Sequence, residues 1–489
     1  MFTAEQKEFI QSRGSDIKTV ERQMADFKVG FPYLNLARPA TIGDGIIQLS
    51  EQQVTAYSSE YESLVSNKEL LKFVPASGAA TRMFKELFEF LDTNEINSGV
   101  EKFIDGLENF AFYTELTECL INQGTPITEL LEARNYKPIV HTLLDSSGLN
   151  YGSLPKGLLL FHIEEDIAKT PLEEHLTEGA KYAVQKDGRA KLHFTVSPEH
   201  QEKFEEKLAG IKAIYEKKFG IQYEVTFSQQ KKSTDTIAVD LADEPFMENG
   251  KLLFRPAGHG ALLENLNDLD ADVIFVKNID NVVPDHLKTD TLTYKKALAS
   301  LLLEFQQDSF DWQMRASAGE DCMDEALVKL KSKYSLTPEL TGDKALTNFL
   351  NRPVRVCGMV ENTGEPGGGP FWVDDESGLS LQIAETAQID LDKTDQAEIL
   401  KGSSHFNPVD LVCGVRDYKG KKFDLLQYRN DKTGFITQKS RSGKDLKAME
   451  LPGLWNGAMA NWITIFVEVP ISTFNPVKTV NDLLKSNHQ

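Results

Sequence analysis

The sequence has few cysteines and no long apolar run. Its four cysteines are far apart and fit neither a disulfide framework nor a C-x-x-C metal site, so we expect reduced thiols. No stretch reaches the roughly 18 apolar residues that a membrane-spanning helix needs. The first residues lack a basic segment followed by an apolar run, so we expect no signal peptide and a cytoplasmic location. Thr3 and Gln6 instead have the spacing of a helix capping box.

Positive charge is scarce as well. The 489 residues include 53 Lys and Arg against 74 Asp and Glu, which gives a formal net charge of −21. Such a surface repels nucleic-acid phosphates and anionic membranes, so neither is an expected partner. An anionic substrate would need a local cationic pocket. The apolar fraction of 40% is typical of a core-forming chain and excludes global disorder.

The order of apolar runs and helical patterns predicts an α/β fold. Four short apolar runs are expected to share one mainly parallel sheet that helices cover; they are residues 70–74, 158–161, 236–239 and 273–276. Residues 92–150 have helical spacing and are predicted to be a helical insertion. Later strand signals are at 354–360, 379–383, 409–415, 423–428 and 462–469, before a helix around 480–484. We therefore expect a helical region at 1–68, an α/β core at 69–345 and a strand-rich part at 346–489.

The first candidate site is a strand that leads through small residues into a helix. It reads Val74-Pro75-Ala76-Ser77-Gly78-Ala79-Ala80-Thr81-Arg82-Met83. Small side chains let backbone N–H groups approach a phosphate, and Arg82 would add a positive charge with bidentate geometry. The alternative is a tight βα turn with a surface arginine, which is common in this class of fold.

The second candidate is a carboxylate that directly follows a buried strand. The run Val273–Val276 leads into Lys277-Asn278-Ile279-Asp280-Asn281. Ligands of open α/β sheets bind beyond the carboxyl ends of strands, where Asp280 would lie. A carboxylate there is a natural Mg²⁺ ligand, because Mg²⁺ prefers oxygen donors and keeps substrate phosphates as further ligands. The alternative is that the two asparagines and the aspartate simply turn the chain.

Two further turns are weaker signals. In Pro155-Lys156-Gly157 the lysine could meet a phosphate, and in Gly258-His259-Gly260 the glycines would let a flat ring lie against the backbone. The alternatives are a solvated lysine and a simple turn. The histidines, among them His162 and His175, lack the spacing of a helix-borne metal pair, so a zinc site is not favoured.

Taken together and in order, these segments resemble the UDP-sugar pyrophosphorylase family, closest to its UDP-N-acetylglucosamine pyrophosphorylase branch. Members carry an A-G-G-x-G-T-R-L/M loop, a P-K-G, a Gln-containing strand end, a G-x-G helix start, a strand ending in D-N and a late F-x-P-x-K. The corresponding segments here are Ala76–Met83, Pro155–Gly157, Phe227–Gln230, Gly258–Gly260, Asp280-Asn281 and Phe474–Lys478. The order is kept over about residues 68–485. The run Glu361–Trp372 is typical of an uncharacterised bacterial branch of this superfamily.

The resemblance implies an α/β nucleotide-diphospho-sugar transferase fold of the glycosyltransferase-A type. The implied reaction joins a nucleoside triphosphate, with UTP favoured, and a sugar 1-phosphate, and releases pyrophosphate. The implied catalytic residues are Arg82, Lys156 and Lys478, and Asp280 would bind Mg²⁺. The implied nucleotide contacts are Ala76, Ser77, Gly78, Ala79, Thr81, Gln229, Gln230, Gly258, His259 and Gly260. The implied sugar contacts are Asn281, Glu385 and Asn407.

Two features depart from the family pattern. Ser77 and Ala80 replace glycines of the loop, which narrows the room for a triphosphate, and the helical insertion separates the loop from the P-K-G segment. One alternative is therefore a homologue that binds a nucleotide or sugar phosphate without turnover. A second is a glycosyltransferase of the same fold, whose metal is usually held by D-x-D. Asn278-x-Asp280 offers a single carboxylate for that role.

Overall fold

The structure, a computed structural model, describes residues 2–78, 80–340, 343–364, 367–376, 378–441 and 443–489. The chain folds around a large, mainly parallel β-sheet with flanking helices, as the sequence predicts. It divides into two compact units. Unit A comprises Met1–Glu69, Gln229–Val276 and Lys296–Val469, and unit B comprises Leu70–Ser228, Lys277–Lys295 and Pro470–Gln489.

The helices are numbered along the chain. They are α1 (Ala4–Ser12), α2 (Ile17–Val29), α3 (Glu51–Leu64), α4 (Lys85–Thr93), α5 (Ser98–Asp105), α6 (Tyr113–Asn122), α7 (Ile127–Glu132), α8 (Lys137–Leu144), α9 (Pro171–Tyr182), α10 (Gln201–Phe219), α11 (Leu262–Asp268), α12 (Thr289–Ser317), α13 (Met323–Tyr334), α14 (Asp343–Leu350) and α15 (Thr394–Lys401).

The strands are numbered in the same way. They are β1 (Leu36–Pro39), β2 (Thr41–Ile42), β3 (Gly45–Ile47), β4 (Leu70–Pro75), β5 (His162–Glu164), β6 (Ile167–Lys169), β7 (Arg189–Val196), β8 (Gln222–Gln229), β9 (Thr236–Ile237), β10 (Met247–Glu248), β11 (Lys251–Leu252), β12 (Phe254–Arg255), β13 (Val273–Lys277), β14 (Val354–Glu361), β15 (Gly369–Asp375), β16 (Gly378–Ala384), β17 (His405–Gly414), β18 (Phe435–Arg441), β19 (Lys444–Glu450) and β20 (Ile463–Glu468).

In unit A the sheet strands follow the order β2-β3-β20-β14-β17-β13. β20 runs parallel to β3 and β14, whereas β14 and β17 are antiparallel. Helix α1 begins at the predicted capping box, in which Thr3 and Gln6 each accept the other's backbone N–H. Apolar residues of α1 and α2 pack in one cluster with residues of β9 and β19, so the first helices close over a small sheet of this unit.

In unit B the sheet strands follow the order β4-β7-β8, and β4 and β7 are parallel with Val74 opposite Phe194. Residues of α9 and α10 pack against β7 in one apolar cluster. A second cluster fills the space between helices α4 to α8, and Val477, Val480 and Leu483 belong to it. The prediction that residues 92–150 are helical is confirmed by α5 to α8.

Residues 158–161 are not a strand, contrary to the prediction. Lys156–Leu158 form a 3₁₀ turn. The N–H of Leu159 donates to the Lys156 carbonyl at 3.2 Å, and that of Leu160 donates to the Tyr151 hydroxyl at 3.3 Å. The apolar run instead reflects burial in the cluster between the helices, and burial alone produces such a run whatever the backbone conformation.

Residues 236–239 also lie outside the central sheet, since β9 pairs with β12 in a two-stranded antiparallel sheet. Of the four runs expected there, 70–74 and 273–276 are sheet strands, β4 and β13. The predicted strand at 423–428 is wrong, because Leu425–Tyr428 form a 3₁₀ helix. Val480–Leu484 are helical, but of the 3₁₀ type.

The cysteines and the helices can be compared with the sequence expectations. All four cysteines are free, and Cys322, Cys357 and Cys413 are buried. Within the described part of the chain, no helix is long and apolar enough to cross a membrane.

Candidate functional site

Three predicted motifs meet in unit B around the ammonium group of Lys156. Its Nζ donates to Asp280 Oδ2 at 2.7 Å and to the Val477 carbonyl at 2.6 Å. Both charged side chains keep some solvent contact, 14% for Lys156 and 20% for Asp280. We call Lys156, Asp280 and the Val477 carbonyl the Lys156 cluster. It joins residues that are hundreds of positions apart in the sequence and brings the residue before Lys478 to the other two motifs.

The small-residue loop after β4 is tied to the same place by its backbone. The N–H of Ala76 donates to the Thr195 carbonyl at 2.8 Å, and the N–H of Lys156 donates to the Gly78 carbonyl at 3.3 Å. The N–H of Ala80 donates to the Leu154 carbonyl at 3.4 Å. The loop is therefore attached to the segment that carries Lys156. Ala79, a predicted nucleotide contact, lies outside the described residues.

The two residues that replace family glycines differ in their surroundings. Ala80 is fully buried and its methyl group belongs to the apolar cluster between the helices, whereas Ser77 is exposed. The Ala80 side chain thus takes no room on the exposed side of the loop. Thr81 and Arg82 are exposed too, and Arg82 forms no ion pair or hydrogen bond within the described chain.

The segment that carries Lys478 is fastened on both sides of that residue. The N–H of Val477 donates to the Asp280 carbonyl at 3.2 Å, and the N–H of Val480 donates to the Met83 carbonyl at 3.0 Å. The backbone N–H of Lys478 donates to Asp482 Oδ2 at 2.8 Å. Lys478 itself is exposed. The segment therefore runs from the Asp280 turn to the helix that follows the small-residue loop.

Asn281 has both ends of its side-chain amide engaged by the protein. Oδ1 accepts the N–H of Asn475 at 2.8 Å, and Nδ2 donates to the Thr473 carbonyl at 3.3 Å. Asn281 is 2% exposed. In this arrangement it joins the Asp280 turn to segment 470–489, and its side chain is engaged by the backbone of that segment.

The Asp280 carboxylate can be tested as a Mg²⁺ ligand from its own surroundings. Among the described residues there is no group of three or more His, Cys, Asp or Glu that could hold a metal ion. Mg²⁺ sites that bind phosphate substrates often use one or two carboxylates and complete the shell with water and substrate phosphates. Asp280, partly exposed and with Lys156 on one oxygen, fits a metal that arrives with a phosphate ligand.

Beneath the Asp280 turn lies a buried ion network that sequence reasoning missed. Glu178 of α9 accepts from Lys72 of β4 and from Lys277 of β13, each at 2.8 Å, and all three side chains are at most 1% exposed. Burial alone would raise the pKa of Glu178, but Lys277 and Lys72 hold it well below its usual range. Burial lowers the pKa of Lys72 to about 7, against the opposing effect of Glu178.

A signal for this network is present in the sequence. Lys72 interrupts the otherwise apolar strand Leu70–Val74, and Lys277 ends the run Val273–Val276. A lysine on a strand whose neighbours are all buried requires an acid partner nearby. The sequence does not show which acid, because Glu178 is about a hundred residues from either lysine.

His175 connects this network to the candidate site. Its Nε2–H donates to the Ile279 carbonyl at 3.1 Å, and the Ile279 N–H donates to the Pro75 carbonyl at 3.3 Å. Burial holds the pKa of His175 well below its usual value, with Lys72 acting in the same direction. The neutral ring therefore holds the Ile279 carbonyl, directly before Asp280. The N–H of Ile279 in turn joins the same residue to the end of β4.

The predicted base contacts in unit A lie against a segment of the same unit. Gly258 has φ +77°, and a Cβ on Gly260 would lie 2.0 Å from the Pro452 carbonyl oxygen. The glycines thus allow close approach of residues 450–453. His259 Nδ1 accepts the Leu454 N–H at 3.0 Å, which leaves the proton on Nε2, and its ring stacks on Trp455 with centroids 4.3 Å apart.

The charges that face His259 are negative. Burial lowers the pKa of His259, and the carboxylates of Glu385 and Glu450 oppose that shift. Glu450 is paired with Lys439 at 3.4 Å, whereas Glu385 is joined to Gln388 by its backbone, whose carbonyl accepts the Gln388 N–H at 2.8 Å and whose N–H donates to Gln388 Oε1 at 3.0 Å. We call His259, Trp455, Glu385 and Glu450 the His259 cluster. Trp455 is a residue that sequence reasoning missed.

Asn407 and Glu385, the predicted sugar contacts in unit A, are both next to Gly368. The Asn407 N–H donates to the Gly368 carbonyl at 2.8 Å, and a Cβ on Gly368 would lie 3.6 Å from Glu385 Cγ. Asn407 is 2% exposed, and its Oδ1 accepts the N–H of Val409, a β-branched residue with φ +59°. The Asn407 side chain therefore stabilises a left-handed backbone conformation at Val409, which valine rarely adopts.

The two glutamines are placed separately. Gln229 is exposed, and its carbonyl accepts from Asn265 Nδ2 at 2.8 Å. Gln230 Nε2 donates to Asp235 Oδ1 at 3.5 Å, at the limit of a hydrogen bond. Unit B thus brings together Lys156, Asp280 and the loop and segment that carry Arg82 and Lys478, while unit A holds the His259 cluster and these glutamines.

A family profile described as "Domain of unknown function (DUF4301)" matches residues 3–489. The chain belongs to the DUF4301 family. No curated protein matches this DUF4301 chain. Similar solved structures include UDP-glucose and UDP-N-acetylglucosamine pyrophosphorylases.

A mutant UDP-glucose pyrophosphorylase from Leishmania major is 13% identical, with 99% of this chain and 79% of that chain covered and a TM-score of 0.47. The UDP-N-acetylglucosamine pyrophosphorylase from Trypanosoma brucei is 13% identical, with 95% and 74% covered and a TM-score of 0.49. At such values the similarity carries no conclusion on activity.

Proposed function

We propose that this DUF4301 protein is a nucleotidyltransferase-like enzyme that joins a nucleoside triphosphate, with UTP favoured, and a sugar 1-phosphate. A phosphate oxygen of the sugar 1-phosphate attacks the α-phosphorus in line. The bond between the α-phosphorus and the oxygen that leads to the β-phosphate breaks, and that oxygen leaves with pyrophosphate. The protein forms no covalent bond in this reaction, so its contribution is to position the reactants and to neutralise charge.

The observation that carries the proposal is the Lys156 cluster. Three stretches of sequence that match separate motifs of the pyrophosphorylases contribute one group each to a single ammonium contact. The small-residue loop is joined to the same stretch through the Gly78 carbonyl. In a chain of net charge −21, Lys156 together with Arg82 and Lys478, which lie on the stretches joined to it, would provide the local attraction that an anionic substrate requires.

Each basic residue has a distinct role in this proposal. A lysine ammonium has three donors, of which Lys156 uses two on Asp280 and Val477, so the third is available to a phosphate oxygen. The exposed Arg82 would bind the β- and γ-phosphates as they leave, and Lys478 would hold the sugar phosphate. Asp280 would hold Mg²⁺, which supplies charge neutralisation on the phosphate oxygens when bound.

The family resemblance gives the base contacts to Gly258, His259 and Gly260, with Gln229 or Gln230. Neutral His259 presents an Nε2–H donor, because its Nδ1 accepts from the Leu454 backbone. The Glu385 carboxylate is an acceptor for sugar hydroxyl groups. We also place the protein in the cytoplasm, a proposal supported by its four free cysteines.

The test is a screen of the purified protein with each common nucleoside triphosphate and a panel of sugar 1-phosphates, read by pyrophosphate release. We expect release with at least one pair, and mass spectrometry of the product should identify an NDP-sugar. Complete absence of release over the panel, with the protein folded, would count against a transferase.

Asp280→Asn is the variant that tests the metal role. The amide oxygen can still accept from Lys156, so thermal unfolding should change little, while pyrophosphate release falls by about 10²- to 10³-fold and its Mg²⁺ dependence shifts. If Asp280 only turns the chain, the variant would keep wild-type turnover and Mg²⁺ dependence and lose on the order of 1 kcal/mol of stability.

A protein that binds a nucleotide or sugar phosphate without turnover is the second candidate. The observation that favours it is the Ser77 side chain on the exposed side of the small-residue loop, where the pyrophosphorylase family has a glycine that lets the backbone approach the triphosphate. Calorimetric binding of a nucleotide or sugar phosphate with no pyrophosphate release would select this candidate.

A further inference from the structure

Segment 470–489 of unit B contributes to the Lys156 cluster near its start and is also held by contacts of its last residues. Near its start, Pro476 forms a β-bridge with Asn281, and Val477 is bonded to Asp280 and Lys156 through its N–H and carbonyl. Twelve residues after Asn475, Asn487 donates from Nδ2 to the Asn475 side-chain oxygen at 2.6 Å. The segment therefore folds back, so that its later residues support the stretch beside Asp280.

His488, the next residue, is 1% exposed and belongs to a chain of three buried groups. Its Nδ1 lies 2.9 Å from His162 Nε2, and His162 Nδ1 lies 2.9 Å from Glu174 Oε1. The two imidazole rings are nearly parallel, with centroids 5.2 Å apart and an interplanar angle of 18°. Lys288 also donates to Glu174.

These partners determine which nitrogen carries each proton. Glu174, a carboxylate held by Lys288, accepts, so His162 Nδ1 is the donor. His162 Nε2 then has a lone pair, and His488 Nδ1–H donates to it. Burial lowers the pKa of both histidines, and His162 acts in the same direction on His488. Lys485 also lowers the pKa of His488 while Asp482 opposes the shift, and Lys288 and Lys169 lower the pKa of His162 while Glu174 opposes it.

We propose that His488 and His162 are positioning residues, whose hydrogen bond locks segment 470–489 so that the Val477 carbonyl and Lys478 stay at the Lys156 cluster. The inference deepens the proposed function and rests on it for its kinetic consequence. Its structural consequence, the order of residues 475–480, does not depend on any activity. Neither histidine reaches the Lys156 cluster, so both act through the segment.

The experiment compares His488→Leu with His488→Asn. Leucine removes the donor, whereas the asparagine Nδ2 group lies close to the place of the histidine Nδ1 and can donate to His162. Hydrogen exchange of the Val477 and Val480 amides reports the segment directly, since these N–H groups bond to Asp280 and Met83. We expect His488→Leu to speed their exchange by about tenfold or more, and His488→Asn to restore most of the protection.

Kinetics supply the second readout. With the substrate pair that the screen identifies, His488→Leu should raise KM for the sugar 1-phosphate several-fold with a smaller fall in kcat, and His488→Asn should recover it. A merely structural role would change thermal stability but not this ratio. His141→Leu is the matched control, because His141 is an exposed histidine on α8 of the same unit.

Unchanged exchange at both amides in His488→Leu, or equal exchange in the Leu and Asn variants, would overturn the proposal. If His488→Leu does not fold, His488→Phe carries the same test, since it keeps an aromatic ring at this position but removes the bond to His162. A wild-type protein without pyrophosphate release but with the expected exchange pattern would refute the proposed function and leave the lock in place.

Discussion

Units A and B bury positive charge in opposite ways. In unit B, the two buried cations Lys72 and Lys277 share one anionic partner, the Glu178 carboxylate. In unit A, the guanidinium of Arg355 on β14 is fully buried and bonded to neutral groups, the Thr464 hydroxyl at 2.9 Å and the Trp455 carbonyl at 2.5 Å. One of its nitrogens, Nη2, has no hydrogen-bond partner in the described structure.

The difference shows which region depends on charge balance. Removing one member of a buried ion pair leaves the other charge uncompensated, which is costly, whereas exchanging a buried charge for an apolar group is often tolerated. Unit B places its ion network directly beneath the Asp280 turn, so the network and the candidate site share a backbone. Lys156 is intermediate, because it is paired with a carboxylate but still reaches solvent.

The largest expected effect is that of Glu178→Gln. The amide keeps the shape of the side chain but leaves Lys72 and Lys277 without their anion, so the free energy of unfolding should fall by about 3–5 kcal/mol. Urea unfolding followed by circular dichroism measures it. A loss below about 1 kcal/mol would mean that the buried lysines are already neutral in the native protein.

Lys156→Met should lower activity strongly and change stability little. Pyrophosphate release should fall by about 10²- to 10³-fold, because the ammonium group faces both Asp280 and the substrate phosphates, while unfolding changes by about 1 kcal/mol or less. Lys85→Met is the matched control, since Lys85 pairs with Glu89 on an exposed helical face. Equal activity losses in the two variants would show that Lys156 has no special role in activity.

Acid should destabilise unit B over a defined range of pH. The pKa values of His162, His175 and His488 lie below the ordinary value near 6.5, and that of His488 is lowered to about 3 by burial. The unfolded chain therefore binds more protons below pH 6.5, so their contribution is complete above that pH and is lost as pH falls toward 3. Hydrogen exchange in each unit at pH 7, 5 and 4 measures the loss.

In the His259 cluster of unit A, one buried histidine, His259, has a lowered pKa. The amide hydrogen exchange of unit A should therefore change less than that of unit B between pH 7 and 4. Equal acid sensitivity of the amides in the two units would contradict the contrast between them.

The smallest effect is expected for Arg355→Met. Methionine fills a similar volume without a charge, so the free energy of unfolding should change by about 1 kcal/mol in either direction. Thermal unfolding compared with Glu178→Gln is the measurement. A loss as large as that of Glu178→Gln would show that neutral acceptors stabilise a buried guanidinium as well as a carboxylate stabilises a lysine.

Local signals in the sequence predicted much of the fold. The capping box at Thr3, the helices of residues 92–150 and the strands β4 and β13 follow from patterns within a few residues. The strand prediction for residues 158–161 was wrong because an apolar run indicates burial and not a particular backbone conformation. Residues of a 3₁₀ turn packed between helices are buried as well. A strand additionally needs a partner for its ladder, and no local pattern supplies that.

The candidate site was predictable in part, because its motifs are short and keep their order along the chain. Pairing was not predictable. Lys156 finds Asp280 and Val477 across more than a hundred residues, and Asn281 turns out to bind the backbone of segment 470–489. The partners of His488 are also remote in the sequence, so they could not be predicted from it. Such contacts depend on how the sheet and helices bring remote segments together.

The discontinuous make-up of unit B also bears on the order of events during synthesis. Its three stretches are separated by long parts of unit A, and the last of them begins at Pro470. A growing chain that has reached residue 460 has made β4, α9 and Lys156, yet it lacks Val477 for the ammonium and Val480 and Leu483 for the apolar cluster. Contacts of such long range close slowly and leave apolar surface exposed meanwhile. The nascent protein is therefore most open to aggregation, and to chaperone binding, just before the residues that complete its site emerge.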